Sequence, residues 1–230
     1  MSAEVTQAEK DGATKYSPIV LAAYDTFVLQ WSNTYAWRCP RERLLAHYDA
    51  HLSGRHLDIG PGTGWYLRHA TYPTEVPQIT LMDLNTNTMA MTTGRLAERG
   101  ITPEVHTGSV LAPIDPGVGV FDSVAANFVF HCVPGTWAQK GHAFGHIARV
   151  VADDGVFFGS TILGTGVQHN LLGRTLCALY NGPIKAFDNT VDDEDGLRTA
   201  LSAAFESVEI TVIGTVAVFA ARQPRRSTAS

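Results

Sequence analysis

The sequence predicts an α/β fold: a doubly wound, mixed sheet of about seven strands with the last strand antiparallel, plus an N-terminal helical lid. Three observations carry this expectation. From Arg55 onward, short apolar runs alternate with helix-like stretches, a pattern that builds right-handed crossovers on a parallel sheet. Gly60, Gly62 and Gly64 stand in "RHLDIGPGTGWYL" (55–67), directly after one such run and before a helix-like stretch. The last two apolar runs, "SVEITVIG" and "TVAVFAA", are joined at Gly214 by a link too short for a crossover, so they must form a hairpin.

The totals suit one well-filled domain. The chain has 230 residues, 45% hydrophobic and 17% charged, as an ordinary globular protein does. No run approaches the roughly 18 apolar residues of a membrane helix. The opening "MSAEVTQAEKDGATK" has no apolar core of the secretory kind. Cys39, Cys132 and Cys177 are scattered without CxxC spacing, which argues against a disulfide framework and a structural zinc site. A cytoplasmic location and no bound metal are therefore expected. The formal net charge of −5 speaks against nucleic acid as a partner. Arg222, Arg225 and Arg226, beside Pro224, read as a solvated end rather than a binding patch.

The elements follow in order. Residues 1–16 are small and polar and read as a flexible arm. From Pro18, Val20, Tyr24, Phe27, Val28 and Trp31 recur at three- and four-residue steps and make one apolar helical stripe. A short helix is expected from Pro40 to about His51, with proline in its first turn. "RHLDIG" is a buried strand, followed by the glycine turn and a helix. "QITLMDL" is the second strand. "NTNTMAMTTGRLAERG" is a helix capped by Asn85 and stopped by Gly100. "ITPEVHTGSV" is a strand weakened by Pro103, and "VFDSVAANFVF" a strongly apolar one. "TWAQKGHAFGHIARVVADDG" reads as a helix with Phe144, Ile147 and Val151 on one face, and "GVFFGSTIL" as the next strand. After Gly164 to Asp188 comes a helix near Val191 to Phe205, with Thr190 and Asp193 as a capping pair. The expected divisions are a single domain over 17–222 (17–54 lid, 55–163 core, 164–190 substrate-side insertion, 191–222 closing helix and strands) and a flexible tail, 223–230.

Glycine tolerates positive φ and lets a ligand approach the main chain closely. Such a turn usually signals a nucleotide, but the last position of the dinucleotide fingerprint wants Gly or Ala, and here it is Trp65. No Gly-Lys-Ser or Gly-Lys-Thr follows, so the turn is not a P-loop. Roughly twenty residues on, a strand ends in Asp83, whose carboxylate can accept from both hydroxyls of a ribose. A ligand with a ribose but without a bulky pyrophosphate is expected.

In order and spacing, "LDIGPGTG", "LMDLN", "HTGSV" and "FDSVAANFVFHCVPG" resemble the signature segments of class I S-adenosylmethionine-dependent methyltransferases of the small-molecule type. The resemblance covers about Leu57 to Leu163, and the closing strand pair fits it. It implies S-adenosyl-L-methionine as cofactor. The backbone of Gly60, Pro61, Gly62 and Gly64 would cup the methionine part. Asp58 would orient the turn and meet the amino group, directly or through water. Asp83 would hold the ribose diol, and Leu84 would pack on the adenine. Ser109 falls where the family often has Asp; it can accept from the adenine amino group only without charge, whereas the backbone N–H of Val110 is unaffected. Asn127 and Phe128 would supply a carbonyl and a wall near the methionine chain. The plainer alternatives are that Asp58 and Asp83 are capping acids and Ser109 a loop residue.

Methyl transfer from a sulfonium is an in-line displacement with a good leaving group, so positioning can supply most of the acceleration and a base is optional. His131 sits where small-molecule relatives often have a histidine facing the cofactor. It is the candidate catalytic residue, with ligand contact or a structural role as alternatives. Phe128 and Val129 replace the prolines that DNA and protein-glutamine methyltransferases carry, which disfavours those substrates. Cys132 reads as a buried small apolar residue rather than a nucleophile. The substrate-binding candidates are Tyr24, Trp31, Tyr35 and Trp37 upstream, with Phe27 as core, and His169, Tyr180, Asn181 and Phe187 downstream. The expected activity is methyl transfer to a small organic acceptor, as in secondary metabolism. A cofactor-dependent rearrangement or cyclisation, a protein or tRNA methyltransferase, and a non-catalytic scaffold are the competing readings. The acceptor atom and oligomeric state stay open.

Overall fold

The computed structural model describes residues 25–226, without the side chains of 25–30. The expected arm (1–16), Val20, Tyr24 and the end of the tail (227–230) lie outside the described residues, as do the side chains of Phe27 and Val28. One seven-stranded sheet runs in the order β3-β2-β1-β4-β5-β7-β6. Its strands are β1 (Arg55–Ile59), β2 (Gln78–Asp83), β3 (Glu104–Thr107), β4 (Phe121–Asn127), β5 (Val151–Ile162), β6 (Phe205–Ile213) and β7 (Val216–Pro224). β1 pairs in parallel with β2 and β4, whereas β7 is antiparallel to both β5 and β6, as the short link at Gly214 required.

The central strands are buried on both faces, as a parallel sheet covered on each side must be. A π-helix (Asp25–Ala36) leads to α1 (Arg41–His51), and α2 (Trp65–His69) and α3 (Thr86–Ala97) follow β1 and β2. Then come α4 (Trp137–Lys140), α5 (Ala143–Ala148), α6 (Leu171–Asn181) and α7 (Glu194–Ala204). One core packs Phe121, Phe144, Phe157, Phe205 and Phe219; the other packs Trp37, Leu44, Tyr48, Leu81 and Phe158. α1 is a layer of this second core rather than a cover, since buried Tyr48 stands edge-on to Phe158 of β5. No helix among the described residues is long and apolar enough to cross a membrane. The order reverses between β1 and β4, which opens a crevice at their carboxyl ends.

Four expectations are corrected. The single helix across 136–155 is two short helices, α4 and α5, and β5 already begins at Val151. Gly141 breaks the helix, and a Cβ there would run into Trp137 O and Ala200 Cβ, so its absence admits α7. Val151 does share the core of Phe144 and Ile147, so the apolar spacing found the right face but the wrong element. The last helix starts at Glu194, not Val191, because Asp193 is its own cap and accepts from Gly196 N at 2.8 Å. The insertion contains α6, capped by Asn170. Finally, the start of the expected flexible tail is held: β7 runs to Pro224, and although Arg225 and Arg226 are exposed, Arg225 N donates to Ala204 O and the Arg226 guanidinium donates to Ala148 O, Val151 O and Asp153.

Candidate active site

The crevice is shaped by chain reversals at two strand ends. After β1 the main chain turns through Gly60 at φ 62° and Gly62 at φ 58°. A Cβ on Gly60 would lie 2.7 Å from Val129 Cγ2, so glycine is required for the turn to pass under the β4 loop. A Cβ on Gly62 would meet nothing within 4 Å, so this glycine leaves the main chain open to a ligand. After β4, Phe128 reverses the chain at φ 57°, which ends the strand earlier than its apolar run suggests.

Every residue expected on the cofactor side lines one cavity of about 220 Å³: Asp58, Gly60, Pro61, Gly62 and Gly64 after β1; Asp83 and Leu84 after β2; Ser109 and Val110 after β3; Asn127 and Phe128 after β4. α2 is only five residues long, too short for a pyrophosphate-binding terminus. Its first residue, Trp65, lines the cavity, stacks on His69 at 4.3 Å and lies under the Arg41 guanidinium at 4.6 Å.

Both acids are held in place. Asp83 Oδ1 accepts from Asn85 N at 3.0 Å and Oδ2 from Thr88 Oγ1 at 2.7 Å. Burial nonetheless raises its carboxyl above the ordinary value. Each oxygen keeps a lone pair for a further donor. Asp58 Oδ2 accepts from Tyr48 Oη at 2.6 Å, and Oδ1 accepts no hydrogen bond from the described residues. Asn127 Oδ1 accepts from Ser160 Oγ at 2.9 Å, while its buried Nδ2 finds no partner among the described residues. Ser109 Oγ accepts from Leu111 N at 3.1 Å, a turn role that fits its lack of charge. A left-handed glycine, Gly62, with open space beside it, two anchored acids and an orphaned amide donor suit a ligand that is both nucleoside and amino acid. Among the described residues no group of His, Cys, Asp and Glu could hold a metal.

The remaining candidates among the described residues are not in the lining. His131 is buried behind the wall, its ring 4.4 Å from Phe187 and 5.8 Å from Phe128, and its Nδ1 has no partner among the described residues. Phe187 also meets Trp37 at 6.2 Å and Tyr180 at 4.8 Å, and His169 stands edge-on to Trp37. His169 Nε2 is tied to Leu163 O, and Asn181 clasps Asn189. These side chains form an aromatic cluster that supports the loop after α6, of which only Ala186 reaches the cavity. Trp31 and Tyr35 pair on the surface at 5.8 Å. Cys132, read as buried, is exposed and lines the cavity.

Sequence reasoning missed Tyr48, Thr88, Val133, Pro134 and Ala186. Thr88 had a signal, since the first turn of a helix after a strand-terminal acid can reach back to it. Val133, Pro134 and Ala186 meet the cavity, and Tyr48 meets Asp58 behind it, only through tertiary folding.

Burial, aided by the Lys140 ammonium, pushes His131 down to about 3. Its imidazole is thus neutral in the folded chain at every ordinary pH. Because the folded value lies below the unfolded one, its contribution to stability is complete above about pH 6.5 and is lost as pH falls toward 3. In denaturant titrations between pH 6 and 4, His131→Gln should flatten the acid-side loss by about 1.4 kcal/mol per pH unit. An unchanged slope would show that the ring titrates normally.

Residues 57–159 match the methyltransferase domain family. The chain is 40% identical over 227 residues to a physcion biosynthesis cluster O-methyltransferase of Aspergillus chevalieri, covering 96% of this chain and 99% of that protein. It is 36% identical over 217 residues to the demethylluteothin O-methyltransferase of Streptomyces thioluteus, covering 94% and 93%. Among solved structures, the N-methyltransferase NodS of Bradyrhizobium japonicum WM9, in complex with S-adenosyl-l-homocysteine, has a TM-score of 0.60 at 14% identity, covering 89% of this chain and 97% of that one.

Proposed function

Because this chain belongs to the class I S-adenosylmethionine-dependent methyltransferases, we propose that it methylates a hydroxyl of a small, uncharged, largely apolar organic acceptor. The observation that carries this reading is the composition of the cavity. Its inner end has two anchored acids and a glycine turn, and its outer end is walled by Phe128, Val129, Val133, Pro134 and Ala186 without a charged side chain among the described residues. The two O-methyltransferase relatives, similar along nearly their whole length, support oxygen as the acceptor atom.

S-adenosyl-L-methionine supplies an electrophilic methyl group on a sulfonium. The protein's own part is to bind, orient and exclude water. Asp83 would accept both ribose hydroxyls on its remaining lone pairs, and Asp58 Oδ1 would accept from the amino group. The main chain at Gly60, Pro61, Gly62 and Gly64 would approach the methionine part. Leu84 would pack on the adenine, with Val110 N–H and Ser109 at its edge. Asn127 Nδ2 would donate to a ligand oxygen, and Phe128 would wall the methionine chain. A phenol or enol acceptor would give its proton to solvent before the displacement; its oxyanion then meets the sulfonium, opposite charges are consumed, and the apolar outer wall that excludes water favours that step. His131 in this reading supports the wall by packing on Phe128 and Phe187. Trp37, His169, Tyr180 and Phe187 shape the acceptor end through the loop that carries Ala186. Catalysis then rests on alignment rather than on a strong base.

The test is incubation with cofactor labelled on the methyl carbon and a panel of phenols and enols. Label recovered in a methyl ether is the expected result. Turnover without label would replace the proposal by a rearrangement or cyclisation, and label in protein or tRNA alone by a macromolecular substrate.

A further inference from the structure

We infer that Tyr48 is a positioning residue for the amino-acid end of the cofactor, acting through Asp58. The inference rests on the reading above, in which Asp58 meets the cofactor's amino group. Tyr48 lies in α1, outside the segments that carry the family resemblance, and is fully buried. Its Oη donates to Asp58 Oδ2 at 2.6 Å. The same oxygen is 2.9 Å from His56 Nε2, and His56 Nδ1 is 2.8 Å from Ser123 Oγ, which accepts from Ser53 N at 2.9 Å.

These bonds can run in one sense only when His56 is neutral. A carboxylate is an acceptor, so Tyr48 must give its proton to Asp58. Its oxygen then accepts from His56 Nε2–H. His56 Nδ1 is left as an acceptor for the Ser123 hydroxyl, and that oxygen takes the Ser53 amide proton. Donors therefore point head to tail from the backbone of Ser53 to the carboxylate at the cavity. Register supports the chain: β1 and β4 place His56 beside Ser123 and Asp58 beside Ala125. Ring packing supports it too, because Tyr48 stacks on cavity-lining Tyr66 at 5.6 Å and 12° and stands edge-on to Phe158. Burial and the neighbouring Asp58 charge raise the Tyr48 phenol well above its ordinary value, so it stays a donor at any working pH. With Oδ2 committed, the carboxylate cannot rotate freely, and Oδ1 is the oxygen left to accept from a ligand cation.

Two ligands separate this role from a merely structural one. S-adenosyl-L-homocysteine carries the amino-acid end; 5′-methylthioadenosine keeps the adenosine and sulfur but lacks it. By calorimetry, Tyr48→Phe should weaken the first about tenfold and the second less than twofold, with the melting temperature showing a folded protein. In the Asp58→Asn background, adding Tyr48→Phe should cost little more, since the two act as one unit. Ser123→Ala, at the far end of the chain, should show the same selectivity at smaller amplitude, and it serves if Tyr48→Phe does not fold. Unchanged affinity for S-adenosyl-L-homocysteine, or equal losses for both ligands, would overturn the inference. Failure of the unmutated protein to bind either ligand would instead overturn the proposed function.

Discussion

Replacing Asp83 by Ala is expected to weaken S-adenosyl-L-homocysteine binding by roughly 100-fold, about 3 kcal/mol, and to abolish labelled-methyl transfer at micromolar cofactor. The carboxylate would accept two ribose hydroxyls, and each charge-assisted bond contributes about 1.5–3 kcal/mol, less the water each hydroxyl gives up. Stability should hardly change. Burial already raises the Asp83 carboxyl, so ionising it costs the folded chain energy that Ala removes. Thr88 Oγ1 retains Asn85 O at 2.7 Å. Asp83→Asn keeps an acceptor oxygen and should fall between. Calorimetry on the three proteins decides the matter, and equal affinities would refute the ribose role.

The largest stability effect should come from Lys140→Met, at about 3–5 kcal/mol by denaturant titration. Lys140 and Asp192 are fully buried, with Nζ 2.6 Å from Asp192 Oδ2 and 2.9 Å from Asp188 O. The ammonium also lies 4.8 Å from the Trp137 ring. Removing it strands the carboxylate in a dry site. Burial pushes Asp192 up to about 6 even beside the ammonium. A carboxyl raised by folding binds its proton more tightly in the native state, so its own contribution grows as pH falls through that value. The cost of Lys140→Met should therefore be smaller at pH 5 than at pH 8, and Asp192→Asn should restore part of the loss. A pH-independent cost below 1 kcal/mol would mean the pair is not buried. Because this pair ties α4 to the loop holding Ala186, the apolar wall should loosen with it and turnover should fall.

The two ends of the site differ in how far they could be read in advance. The cofactor side is contributed by residues at strand ends, and strands reveal themselves by apolar runs while their ends reveal themselves by glycine and acid. Thus Gly60, Gly62, Asp58 and Asp83 were legible, and so was their convergence, since a doubly wound sheet brings successive carboxyl ends to one crevice. The acceptor side was not legible. Trp37, Tyr180, Phe187 and His131 carry the residue types of an aromatic pocket, yet they pack into one cluster outside the lining, and of the described loop after α6 only Ala186, a residue with no distinguishing chemistry, reaches the cavity. The helix expected over 136–155 failed for a related reason: apolar spacing reports a buried face, and a strand entering the same core from Val151 satisfies it equally well.

By itself, then, the chain's order of residues determined the sheet, its antiparallel closing strand, the glycine turn and the two acids that a nucleoside with an amino-acid tail requires. These depend on contacts local in sequence or on a topology with few alternatives. Only the tertiary structure decided that Tyr48 stands behind Asp58, that Lys140 is sealed against Asp192, and that His131 lies behind the cavity wall. Each of those depends on a pairing between distant segments, where a buried polar side chain is tolerated only because another part of the fold arrives to satisfy or enclose it, and no pattern in the neighbouring residues records which part that will be.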